Sequence, residues 1–133
     1  MIVVDASVVI ALLSPRDAHH DKAAQFVVSH SEFRLHPVTM AEVLIGPARQ
    51  SKQEETLDHL RALGFSVDTP DSRDPVRAAM LRAETGLKLP DCYVLGAALS
   101  LGRPLATFDR RLADSAQRRQ VELVDFAQPS AST

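Results

Sequence analysis

The sequence predicts an α/β fold, a mostly parallel sheet with helices packed on both faces. Two observations carry that class. Short runs of β-branched or apolar residues alternate with longer segments of helical spacing. Gly or Pro punctuates most of the junctions between them. A chain of 133 residues suits one domain with one core. Residues 1–127 read as that domain, and residues 128–133 as a small, polar, frayed tail.

The elements follow in order. Ile2-Val3-Val4 is a short buried strand ending at Asp5. Ser7 to Leu13 reads as a first helix, stopped near Ser14-Pro15. Asp21 to Val28 has helical spacing, with Ala24, Val27 and Val28 as its apolar stripe. Arg34 to His36 reads as a second strand. Thr39 then caps a helix, with Glu42 three residues on completing a capping box, and Gly46-Pro47 interrupts or kinks it. Glu54 to Leu63 is amphipathic through Leu57, Leu60 and Leu63, and Gly64 follows as its C-cap. Phe65 to Val67 forms a third strand. Asp74-Pro75 opens a helix that stops at Gly86, and Leu89-Pro90-Asp91 starts the most apolar helix, ended by Gly102. Pro104 to Thr107 is a fourth strand, Asp109 to Arg119 a helix, and Val121 to Val124 a fifth strand.

Composition removes several function classes. The net charge of −2 disfavours gripping nucleic acid by bulk positive charge. One tyrosine, five phenylalanines and no tryptophan leave little for an extended base-stacking platform. A lone cysteine, Cys92, excludes an intrachain disulfide and fits a reducing cytoplasm; its apolar neighbours make it core. Ile2 to Leu13 is too short to span a bilayer, so a soluble, cytoplasmic protein without membrane partners is expected. The five histidines lack zinc spacing, and the pair His19-His20 reads as a solvated loop. Neither a phosphate-cradling glycine loop nor a serine nucleophile elbow occurs.

Four acids carry the chemistry: Asp5, Glu42, Asp91 and Asp109. Each has a local explanation as a helix cap or first-turn acid. Their joint placement points further. Asp5 and Asp109 follow apolar strands, so a parallel sheet delivers both to the edge where α/β proteins bind ligands. Glu42 and Asp91 lie in the first turns of helices that begin at that edge. Several carboxylates in one cleft repel and need a counter-charge, and hard oxygen ligands favour Mg²⁺ or Mn²⁺. Such a cleft suits phosphoryl chemistry. Ser7 and Thr107 stand two residues from Asp5 and Asp109 as hydroxyl supports. Lys88, three residues before Asp91, is placed to meet an approaching phosphate.

Val4-Asp5-Ala6-Ser7, Glu42, Leu89-Pro90-Asp91-Cys92 and Ala106-Thr107-Phe108-Asp109, in that order, resemble the signature of PIN-domain ribonucleases, specifically VapC-type toxins of toxin–antitoxin pairs. The resemblance spans nearly the whole chain. It implies a three-layer α/β/α fold around a five-stranded sheet and Mg²⁺- or Mn²⁺-dependent endonucleolytic hydrolysis of RNA. It also implies a homodimer and a cognate antitoxin. By position, Asp5 and Asp91 would hold the principal metal, with Asp109 and Glu42 extending the shell. Many relatives carry a further acid and an aromatic after the last Asp; here Arg110, Arg111 and Leu112 follow, and Asp114 is no clear substitute. Three rival readings stand beside this one. A housekeeping RNA-processing nuclease would share the site. An aspartyl-phosphate hydrolase would need an Asp where Ser7 stands. A non-catalytic partner-binding domain would have no use for four mutually repelling acids.

Overall fold

A computed structural model describes residues 1–126; the expected tail at 128–133 lies outside them. Four strands, β1 (Ile2–Val4), β2 (Phe33–Leu35), β3 (Phe65–Val67) and β4 (Leu105–Ala106), form one sheet in the order β3-β2-β1-β4. Every ladder is parallel. Side chains alternate across it as strand geometry requires. Ile2, Val4, Phe33, Leu35, Phe65 and Ala106 face one core, while Val3 and Leu105 face the other.

Helices α1 (Ala6–Leu13), α2 (His20–Ser29), α3 (Pro37–Ala48) and α4 (Gln53–Ala62) cover the first face. Helices α5 (Asp74–Thr85), α6 (Leu89–Leu101) and α7 (Arg110–Arg118) cover the second. Helix α6 buries residues around most of its circumference, including Cys92, Val94, Leu95 and Ala98, because α5, α7 and β1 all pack on it. Helices α5 and α6 stop at Gly86 and Gly102 in the left-handed conformation. Gly64, after α4, has φ +103°, and a Cβ there would collide with the Ser31 carbonyl oxygen. Only glycine lets the chain pass from α4 into β3 at that point.

Three expectations need correction. The fifth strand is a single parallel bridge, Leu105 to Leu123. The Leu105 N–H donates to the Glu122 carbonyl (2.9 Å), and the Val124 N–H donates to that of Leu105 (3.0 Å). Residues 121–124 do run along β4, but β4 is only two residues long and the pairing stops at that bridge. Second, α3 begins at Pro37, with His36 as its cap. Pro37 supplies a preset φ and has no N–H to leave unpaired. Thr39 is therefore inside the helix, fully buried with its hydroxyl unpartnered, and no capping box forms. Third, α3 runs through Gly46-Pro47 to Ala48; the missing Pro47 N–H falls in its last turn, where one lost bond does not end it.

Among the described residues no helix is long and apolar enough to cross a membrane.

Candidate functional site

Chain order changes direction between β1 and β4: β2 and β3 lie to one side of β1, and β4 to the other. In open α/β sheets that switch point opens a crevice at the carboxyl ends of the strands. Asp5 leaves β1 there and Thr107 leaves β4 there.

Asp5 is 4% exposed. It occupies the cap position of α1 but makes no capping bond. Its Oδ2 instead accepts from the Ser7 hydroxyl (2.7 Å) and the Thr107 hydroxyl (2.8 Å). The two hydroxyls are 3.4 Å apart. They are fixed in turn by backbone donors: the Phe108 N–H donates to Ser7 Oγ and the Asp109 N–H to Thr107 Oγ1, both at 3.0 Å. Two strands are thereby clamped around one carboxylate. Ser7 and Thr107, expected as hydroxyl supports, both hydrogen-bond Asp5.

Asp109 behaves partly as its local explanation holds. Its Oδ1 accepts the Leu112 N–H (3.1 Å) and caps α7. Glu42 and Asp91 do not cap. Burial raises the Asp91 carboxyl, and repulsion from Asp5, Asp109 and Glu42 adds to it, while Lys88 opposes; the result is a pKa pushed up to about 6. Glu42 is also raised, first by burial and then by Asp5, again opposed by Lys88. These mutual influences place all four acids and Lys88 in one electrostatic field. Lys88 itself is exposed, on the residue before α6. Arg110, Arg111 and Asp114 project from α7 into solvent.

The donor set suits a divalent cation: hard oxygens, mutual repulsion, and two carboxyl groups held away from easy ionisation. The side chains do not converge into a closed cage. Among the described residues no group of three His, Cys, Asp or Glu side chains lies close enough to hold a metal ion.

The histidine pair stands at an exposed turn leading into α2, as expected, but both rings have partners. His20 Nδ1 bonds the Ala11 carbonyl (2.9 Å), and His19 stacks on Phe108 with ring centroids 4.4 Å apart. Sequence reasoning placed His19 in a loop, His36 at a strand end and Phe108 within the last motif, and gave none of them these contacts. A signal for His36 was available in the Pro that follows it; His19 and Phe108 meet only through the fold.

No curated protein matches the chain in sequence. Solved structures do match in fold. A toxin–antitoxin complex from Klebsiella pneumoniae superposes with TM-score 0.75 at 22% identity, covering 95% of this chain and 98% of that one. Mycobacterium tuberculosis VapC20, described as a toxin cleaving the sarcin–ricin loop, gives 0.72 at 16% identity, covering 86% and 95%. A Pyrobaculum aerophilum protein gives 0.57 at 27% identity, covering 85% and 84%. The sequence profile of the PIN domain matches residues 2–117, a span that runs from β1 to the last turns of α7 and holds all four acids. This chain belongs to the PIN domain family.

Proposed function

We propose that the protein is a metal-dependent endoribonuclease of the VapC type, the toxin of a toxin–antitoxin pair. The observation that carries this is the buried Asp5, clamped by two hydroxyls at the switch point, whose charge helps to raise the carboxyls of Glu42 and Asp91. The likeness in fold to toxin–antitoxin assemblies supports an antitoxin as partner.

Asp5 and Asp91 would hold Mg²⁺ or Mn²⁺, with Asp109 and Glu42 extending the shell. When bound, the cation supplies Lewis acidity at the scissile phosphate and lowers the pKa of the attacking water. Ser7 and Thr107 hold the Asp5 carboxylate in place by donating to the same oxygen. The Asp109 side chain is fixed by its cap bond to Leu112, so its free oxygen has a set direction. Lys88 offers the exposed positive charge that draws a phosphate toward the acids. Water attacks phosphorus and the P–O3′ bond breaks, leaving a 5′-phosphate and a 3′-hydroxyl. No side chain of the chain becomes covalently attached. The protein would act as a homodimer.

Purified protein incubated with total RNA and Mg²⁺ should yield discrete fragments with 5′-phosphate ends, and excess chelator should stop their formation. Cleavage that persists in chelator, or fragments ending in 2′,3′-cyclic phosphate, would refute the metal–water chemistry.

A further inference from the structure

All five phenylalanines of the chain belong to one aromatic ladder that ends beside the acids. Phe65 stacks on Phe33 (4.6 Å between centroids), Phe33 meets Phe26 (5.2 Å), Phe26 meets Phe126 (5.4 Å), and Phe126 meets Phe108 (4.4 Å). The last rung is His19, nearly parallel to Phe108 at an interplanar angle of 13°. Five rungs are buried or half-buried; His19 is exposed. One face of its ring is covered by Phe108, and the residue as a whole stays open to solvent.

Two further features tie this rung to the catalytic crevice. Phe108 lies between Thr107 and Asp109, and its N–H donates to the same Ser7 hydroxyl that supports Asp5. The His19 backbone is pinned from both directions: its N–H donates to Asp17 Oδ1 (2.8 Å), and its carbonyl accepts from the Ala23 N–H (3.0 Å) at the start of α2. The imidazole is thus a fixed, half-covered planar ring stacked on the residue next to Asp109. An exposed aromatic ring with a rigid backing costs little to order when a second ring settles on it. RNA bases splayed from single strands are recognised by stacking on such rings, histidine included.

We propose that the outer face of His19 receives a nucleobase flanking the scissile phosphate, making His19 a substrate-positioning residue. This rests on the endoribonuclease reading. It supplies a base-recognition element in a chain otherwise poor in aromatics: a single ledge, backed by the core.

The test uses full-length protein carrying Asp91→Asn, so that RNA is bound and not cut, titrated into a fluorescein-labelled single-stranded 12-nucleotide RNA in Mg²⁺. Adding His19→Ala should weaken binding roughly five- to tenfold, the lower range for one stacked base. His19→Phe should restore it. A single abasic position is then walked along the RNA. At one position the loss should match that of His19→Ala, and the two losses should not add. Equal binding by the Ala and His proteins, or additive losses at every abasic position, would overturn the inference. No RNA binding by the His19-containing protein would overturn the RNA reading itself. The melting temperature of the His19→Ala protein separates lost stacking from a damaged fold: binding loss accompanied by gross destabilisation and unrescued by Phe also counts against the ledge.

Discussion

Replacing Asp91 with Asn should cut RNA cleavage by on the order of a thousandfold while making the protein more stable at neutral pH. The activity loss follows from removing one charged oxygen ligand from an electrostatically tuned site, where such groups contribute about 3–4 kcal/mol to the barrier. The stability gain follows from the sign of the titration. Asp91 sits near pH 6 in the folded protein because burial and three neighbouring acids disfavour its charge. In the unfolded chain it reverts toward its ordinary value of 3.8. Between those two pH values the folded form holds the proton more tightly, so stability falls as pH rises through the window and stays reduced above it. Asn carries no such penalty. Melting curves in chelator should show the variant above the parent at pH 7.5 and level with it at pH 4. A variant that cleaves normally, or that is equally destabilised at both pH values, would remove Asp91 from the site.

The second large effect is expected at His36, whose ring packs against α6. His36 is 3% exposed, directly after β2. Its Nδ1 accepts the Val38 N–H (3.0 Å), so the ring proton is on Nε2, which donates to Asp74 Oδ2 (2.8 Å). The ring also packs on Tyr93 at 4.7 Å. Asp74 is 7% exposed, in the first turn of α5. One imidazole therefore caps α3 on the first face of the sheet and satisfies the first turn of α5 on the second. His36→Ala removes the cap and leaves a buried carboxylate alone. We expect a loss of about 3–5 kcal/mol, read as a lower urea midpoint with unchanged slope. Asp74→Ala added to His36→Ala should cost less than the sum of the two, since the second change removes the stranded charge. A loss under about 1 kcal/mol in the single variant would mean that solvent or another donor reaches Asp74.

How much of this was written in the sequence can be judged residue by residue. The positions of Asp5 and Asp109 were legible because parallel strands carry the residues that follow them to a known edge, and both precede helices. Gly86 and Gly102 marked helix ends because only glycine relaxes into that conformation cheaply. The start of α3 was misread: Thr39 and Glu42 have the spacing of a capping box, yet Pro37 and His36 fix the first turn earlier. The local pattern was sound, and a stronger local pattern preceded it. Residues 121–124 have strand composition, but pairing needs a partner of matching length, which β4 lacks. The clamp on Asp5 was anticipated in its residue types but not in its wiring, which turns Ser7 and Thr107 toward the same oxygen. His19 was hidden most completely. Nothing near it in sequence announces Phe108, and contacts between opposite ends of a chain leave no periodic trace.

The bond from Thr107 to Asp5 joins residues 102 positions apart. β1 is central in the sheet, yet one of its two neighbours is translated near the end. On the ribosome the amino-terminal half can collapse around β1, β2 and β3, but the crevice has only one wall until β4 emerges. Closure of so long a loop is slow, and it comes last. The crevice that gathers the four acids is therefore completed by the most sequence-distant pairing of the sheet, that of β1 with β4.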